Sequence, residues 1–152
     1  MSSETGPPEP DKSAARVLVV DDEPLILEAI RTVLSKDFAV AVTTLPEQAL
    51  AWMTSGSRFD VILCDVMMPN MTGIELRDRL LAFAPELAAR IVFVTGGALL
   101  PHVRALLERV PNAWLEKPID VEGLREFVRR RAGLGATAVE ETSAWRTSAP
   151  EV

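Results

Sequence analysis

Two adjacent carboxylates, Asp21 and Asp22, follow the apolar run Val17-Leu18-Val19-Val20, and a third, Asp65, follows Val61-Ile62-Leu63-Cys64. A hydroxyl, Thr95, follows Ile91-Val92-Phe93-Val94, and an ammonium, Lys117, stands two residues beyond Leu115 and just before Pro118. Carboxylates held close together repel and raise one another's pKa unless a cation intervenes. Magnesium suits such a set, because it takes a few carboxylate oxygens, keeps several waters and accepts phosphate as a further ligand. A lysine and a hydroxyl alongside would meet the remaining phosphoryl oxygens. The residue types therefore point to a phosphoryl group on or near a carboxylate. Asp21-Asp22-Glu23 taken alone reads equally as a helix start, whose first turn attracts acids. Its coincidence with Asp65, Thr95 and Lys117 at three other run ends argues against that reading for the set.

Something must bring four run ends together. The runs at 17–20, 38–42, 61–64, 91–94 and 113–115 are strand candidates, rich in β-branched residues and apolar at nearly every position, as strands covered on both faces are. Between them, Ile26-Ile30-Val33, Leu76-Leu80-Phe83, Leu99-Val103-Leu106-Val110 and Val121-Leu124-Val128 repeat at three and four residues, the stripe of a helix packed on one side. Pro46 opens a further helix through Ala49, Leu50 and Met53. Five alternations of strand and helix predict an α/β fold, a doubly wound parallel sheet with right-handed crossovers. In such sheets ligands bind beyond the carboxyl ends of the strands, where strand order reverses.

The 152 residues carry sixteen basic and twenty-two acidic side chains, a net charge of -6, so there is no electrostatic footprint for nucleic acid. Residues 1–14, with three prolines and almost nothing apolar, and residues 133–152, without helical or strand period, read as flexible tails. Each tail carries -2, which leaves -2 on a single domain at 15–132. Apolar runs of four residues are far short of the roughly 20 needed to cross a bilayer. No signal peptide is visible, and the lone Cys64 permits no internal disulfide, so a reducing cytoplasm is expected. Cys64 reads as a small core residue and His102 as a surface one. Arg129-Arg130-Arg131 complements the end of the last helix, and Trp52 with Met53 is helix packing. Gly96-Gly97 does not follow the first strand, where a nucleotide-binding fold needs its glycines.

The runs Val17 to Pro24 and Asp60 to Pro69 with Gly73 behind it, then Val94-Thr95-Gly96 and Leu115-Glu116-Lys117-Pro118, resemble the receiver domain of two-component response regulators, in order and spacing. The resemblance implies a flavodoxin-like (βα)5 fold with strand order 2-1-3-4-5. It implies Asp65 as phosphoacceptor, Asp22 as a magnesium ligand, Asp21 as ligand or water-mediated partner, and Met67 as donor of a backbone carbonyl to the metal. Thr95 would meet the phosphoryl group, Lys117 would be its charge partner, and Lys117-Pro118 would be cis. Trp114 stands at a switch position where the family usually has Tyr or Phe. Met67 and Gly97 offer no side chain to orient an attacking water, so slow autodephosphorylation is expected. The implied donor is a sensor histidine kinase or phosphotransfer protein. The downstream partner would sit on the face of Leu99 to Val110, Trp114 and Val121 to Arg131. No DNA-binding output domain is expected, and the chain would be a phosphoacceptor rather than a turnover enzyme. Two rivals keep a similar fold: a pseudo-receiver that is never phosphorylated, and an aspartyl-phosphate phosphatase, which needs an Asp-x-Asp pair that neither Asp21-Asp22 nor Asp65-Val66-Met67 supplies.

Overall fold

The computed structural model describes residues 14–97 and 100–133. All but one residue at the inner end of each predicted tail, together with Leu99 in the fourth predicted helix, lies outside these described residues. Five parallel strands, β1 (Arg16–Val20), β2 (Ala39–Thr43), β3 (Val61–Asp65), β4 (Ile91–Thr95) and β5 (Trp114–Glu116), form one sheet in the order β2-β1-β3-β4-β5. The helices are α1 (Pro24–Leu34), α2 (Pro46–Thr54), α3 (Gly73–Leu81), α4 (Pro85–Ala88), α5 (Pro101–Glu108) and α6 (Val121–Arg131). This is the doubly wound, flavodoxin-like arrangement. No described helix is long and apolar enough to cross a membrane.

The period of two along each strand divides the core. Leu18, Val20, Ile62, Cys64 and Phe93 pack with Trp52, Leu76, Leu80 and Leu107 of α2, α3 and α5. Val17, Val19, Leu63, Val92, Val94 and Leu115 pack with Leu27, Ile30, Leu34, Leu124 and Phe127 of α1 and α6. Both faces are covered, which is why the strands read as unbroken apolar runs.

Proline opens α1, α2, α4 and α5 at the first helical turn, where its missing N–H breaks no intrahelical bond. Helix α3 starts instead with a capping box, Thr72 Oγ1 accepting from the Glu75 amide at 3.1 Å and Glu75 Oε1 from the Thr72 amide at 2.9 Å. Most strands shift by one residue at an end relative to the sequence reading, and three differences have a visible cause. Strand β2 starts one residue late, because the Phe38 amide still bonds the Leu34 carbonyl of α1 at 2.9 Å. Helix α5 is shorter than the stripe from Leu99 to Val110 suggests, since Pro101 opens it, and Val110 is buried in the following loop rather than in the helix. One turn, α4, was not expected, for four residues are too few to show a period.

Candidate functional site

Strands β1, β3 and β4 stop at the same sheet edge, and the parallel register stacks their last residues. Val20 pairs with Thr43 and with Cys64, Asp65 with Val94, and Thr95 with Glu116. Asp65 and Thr95 are thus the terminal residues of β3 and β4 themselves rather than of the loops beyond. Asp21, just past β1, is held at both carboxylate oxygens: Oδ1 accepts the Glu23 amide at 2.9 Å and Oδ2 accepts Lys117 Nζ at 3.0 Å. The N-cap of α1 is Glu23, with no side-chain capping bond, so Asp21 and Asp22 are not there to cap that helix.

Lys117 reaches the same place from β5. Its amide donates to the Thr95 carbonyl at 2.9 Å, extending the ladder one residue, and its Nζ also lies 3.4 Å from Asp65 Oδ2. The Lys117-Pro118 peptide is cis. Carboxylate oxygens of Asp21, Asp22 and Asp65 all lie within 4.8 Å of one another, with Asp21 and Asp65 buried and Asp22 half-buried.

The electrostatics follow from crowding. Burial first, then the charges of Asp21 and Asp22, push the Asp65 carboxyl up to about 6 against the opposing pull of Lys117. Burial alone would lower the Lys117 pKa, but the hydrogen bond to Asp21 and the charges of Asp65 and Asp21 hold it above the ordinary lysine value. Three carboxylates against one ammonium leave a negative cluster whose donors are all hard oxygens. That donor set fits a hard divalent cation such as magnesium.

Gly73 explains how α3 comes so near. A Cβ on it would lie 2.4 Å from the Asp65 carbonyl oxygen, so only hydrogen fits where α3 begins beneath the end of β3. The Gly73 amide donates to the Val66 carbonyl at 2.8 Å, which fixes the loop after Asp65.

Thr95 is buried at the edge, its Oγ1 accepting the Gly97 amide at 3.1 Å. Phe93 pairs with Trp114, so strand parity turns Thr95 and Trp114 to the same face, that of α5. Trp114 is half-buried against that layer, with Arg104 Cζ of α5 5.6 Å from its ring centroid. The sequence reading missed Arg104, for a cation on a helix carries no signal of the ring it will cover. Met67 has an exposed side chain beside the cluster. Cys64 is buried, and burial first, then the charges of Asp65 and Asp21, push its thiol far up, so it is a core residue. His102 is exposed. Arg129 and Arg130 pair with Glu126, and Arg131 lies over the Phe127 ring.

The family model for the response regulator receiver domain matches residues 17–129. Sensor protein GacS of Pseudomonas syringae pv. syringae is 32% identical over 135 residues, which are 87% of this chain and 15% of that protein. DNA-binding transcriptional regulator NtrC of Azospirillum brasilense is 35% identical over 123 residues, 78% of this chain and 24% of its own length. The chain thus spans a minor part of both relatives. Among solved structures, the chemotaxis response regulator CheY4 of Vibrio cholerae is 30% identical with a TM-score of 0.66, covering 78% of this chain and 98% of CheY4.

Proposed function

This chain belongs to the response regulator receiver domain family, and from that premise we propose that Asp65 accepts a phosphoryl group from a histidine of a sensor kinase or phosphotransfer protein. The observation that carries the reading is Lys117 Nζ bridging Asp21 and Asp65 inside a cluster of three carboxylates. Among the described residues this is the one cluster of three or more such side chains close enough to hold an ion.

With its carboxyl titrating at about 6, Asp65 is ionised at neutral pH and is the nucleophile. One of its oxygens attacks phosphorus in line, forming an O–P bond as the P–N bond to the donor histidine breaks. The imidazole leaves with the electron pair. Lys117 turns from the carboxylates to the transferred phosphoryl oxygens, and the Thr95 hydroxyl gives up the Gly97 amide to meet another. Asp21, Asp22 and Asp65, with the Met67 carbonyl, would hold magnesium, which would supply positive charge against the carboxylates and the phosphoryl oxygens. The acyl phosphate is lost by hydrolysis. Met67 presents a thioether rather than an amide or carboxylate to the approaching water, and Gly97 presents nothing, so loss is slow.

The acyl phosphate carries roughly two negative charges where the ionised carboxylate carried one. Pulling Thr95 toward it frees space on the face it shares with Trp114, and movement of the indole changes the surface of α5, β5 and α6 on which a downstream protein docks. The reading carries a cytoplasmic location, where histidine kinase donor, magnesium and a reduced Cys64 coincide. The test is mass spectrometry after acetyl phosphate treatment. One added phosphoryl is expected with magnesium, none in EDTA and none in Asp65→Asn; equal labelling of that variant would refute the assignment.

A further inference from the structure

Met67 stands two residues past Asp65, in the loop between β3 and α3. Its neighbours hold it out of the core. Val66 and Met68 on either side are buried, and between these two anchors Met67 is 43% exposed. The loop is tied at both flanks, the Val66 carbonyl accepting the Gly73 amide at 2.8 Å and the Pro69 carbonyl the Met71 amide at 2.8 Å. The thioether is therefore kept in solvent beside the acidic cluster.

Access separates this sulfur from the others. Met53, Met68 and Met71 are buried in the core layer of α2, α3 and α5, and Met67 is the one exposed methionine among the described residues. A thioether reacts with a peroxide without first losing a proton, so exposure decides which methionine is oxidised. Cys64 does not compete. It is buried, and burial first, then the charges of Asp65 and Asp21, push its thiol up, so it holds next to no thiolate, the reactive form. A sulfoxide on Met68 or Met71 would bury a polar oxygen without a partner, whereas on Met67 it stays in water and leaves the fold intact.

We propose that Met67 is a site of reversible oxidation by a peroxide, and that its sulfoxide shortens the life of the acyl phosphate on Asp65. The inference rests on the reading of Asp65 as phosphoacceptor. The sulfur lone pair takes one oxygen of the peroxide as the O–O bond breaks. Sulfur is oxidised by two electrons, and the proton on the transferred oxygen passes to the oxygen that leaves, as water. The thioether is a poor acceptor, but the sulfoxide oxygen accepts a hydrogen bond as an amide oxygen does and can orient a water. That water attacks phosphorus, the P–O bond to Asp65 breaks, the carboxylate leaves with the electron pair, and the proton released passes to solvent. Reduction of the sulfoxide restores the slow state.

The experiment treats the full chain with a limited dose of hydrogen peroxide, removes it, labels Asp65 with acetyl phosphate and magnesium, and follows phosphate loss once the donor is removed. Fragment mass spectrometry is expected to place one added oxygen on Met67 and none on Met53, Met68 or Met71. Loss is expected to be about fivefold faster than in the untreated chain, the effect of one neutral hydrogen bond to the water. Methionine sulfoxide reductases acting on both epimers should return the untreated rate. Met67→Leu should lose phosphate at one rate whether or not that variant has been treated with peroxide. An unchanged urea midpoint certifies the fold of the oxidised chain. Oxidation of the buried methionines ahead of Met67, equal rates in the oxidised and untreated chains, or acceleration by peroxide in Met67→Leu would overturn the proposal and leave the phosphoacceptor reading standing. An untreated chain that takes no label on Asp65 would overturn that reading and this proposal with it.

Discussion

The two edges of one sheet carry opposite charge problems. At the carboxyl edge, Asp21, Asp22 and Asp65 crowd around a single Lys117, and at the amino edge Arg77 and Arg109 share Asp78. The first cluster is held by strand ends and by bonds to its own oxygens. The second is held by long side chains anchored on Asn112 and Phe127. Short carboxylates on strand termini have few rotamers, so they are pre-organised for chemistry, where misplacement by an ångström is costly. The guanidinium groups there are spent on ion pairs, hydrogen bonds and ring packing, which suits joining the elements of that edge rather than reaction. The largest test of this contrast is Asp65→Asn: labelling by acetyl phosphate with magnesium should fall to nothing, while the amide shifts of Asn112 and Ala113 at the amino edge stay as in the parent.

Lys117→Gln comes next. It removes the cation between Asp21 and Asp65 and leaves three carboxylates facing one another. Loss of one charge-stabilising donor costs roughly a hundredfold or more in the rate of transfer. Single-turnover labelling should slow by that order. A rate within threefold of the parent would remove Lys117 from the transfer step.

The carboxyl edge should also cost stability, with a definite sign. The Asp65 carboxyl titrates at about 6 in the fold and at an ordinary 3.8 unfolded. Below about pH 4 both states hold the proton and there is no penalty. Between those values the unfolded chain ionises first, so stability falls as pH rises, and above 6 the full penalty of up to about 3 kcal/mol applies. Asp65→Asn should therefore be more stable than the parent in urea at pH 7.5 in EDTA, with the gain vanishing near pH 4. A gain independent of pH would mean that crowding of charge is not its cause.

The carboxyl edge was far more legible in the sequence than the amino edge, and the reason is geometric. A parallel sheet brings the ends of its strands together whatever the loops do, so residues following apolar runs can be assigned to one place from their positions in the chain alone. Asp21, Asp65, Thr95 and Lys117 meet as that rule requires. The amino edge joins α3, the unexpected turn α4, the loop before β5 and the end of α6. No spacing connects Arg77 to Asn112, and four residues of helix show no period. Gly73 belonged visibly to the motif, but that its missing Cβ makes room for the Asp65 carbonyl could only be measured. The small shifts of β2 and α5 arise from a single capping amide at Phe38 and a proline at 101.

A smaller effect separates structural from chemical roles. Asn112 is buried and makes three side-chain hydrogen bonds at the amino edge. Asn112→Ala strands the Ala88 and Ile91 carbonyls and should cost about 2–3 kcal/mol of stability by urea denaturation. Labelling of Asp65 at a temperature where the variant is folded should stay within twofold of the parent. A larger loss would show that the two edges are coupled through β5.

That coupling has one physical route, and it sets the smallest expected effect. Ala113, beside Asn112, leads into strand β5, which runs from Trp114 to Glu116, with Lys117 immediately beyond. Trp114 is held on the α5 face by packing and by Arg104 over its ring, an attraction worth about 0.5–2 kcal/mol. The indole has no hydroxyl to bond from an inward position, so only displacement of Thr95 toward a phosphoryl group favours movement, and the population shift is small. In a Trp52→Phe, Trp145→Phe background, Trp114 emission reports this alone. Beryllofluoride with magnesium, as an acyl phosphate mimic, should shift the emission modestly, and Arg104→Gln should enlarge the shift by loosening the indole. An unchanged emission and quencher accessibility with Asp65 occupied would take Trp114 out of the switch. The signal would then have to leave through the backbone after Thr95, where the Gly97 amide loses its bond to the threonine hydroxyl.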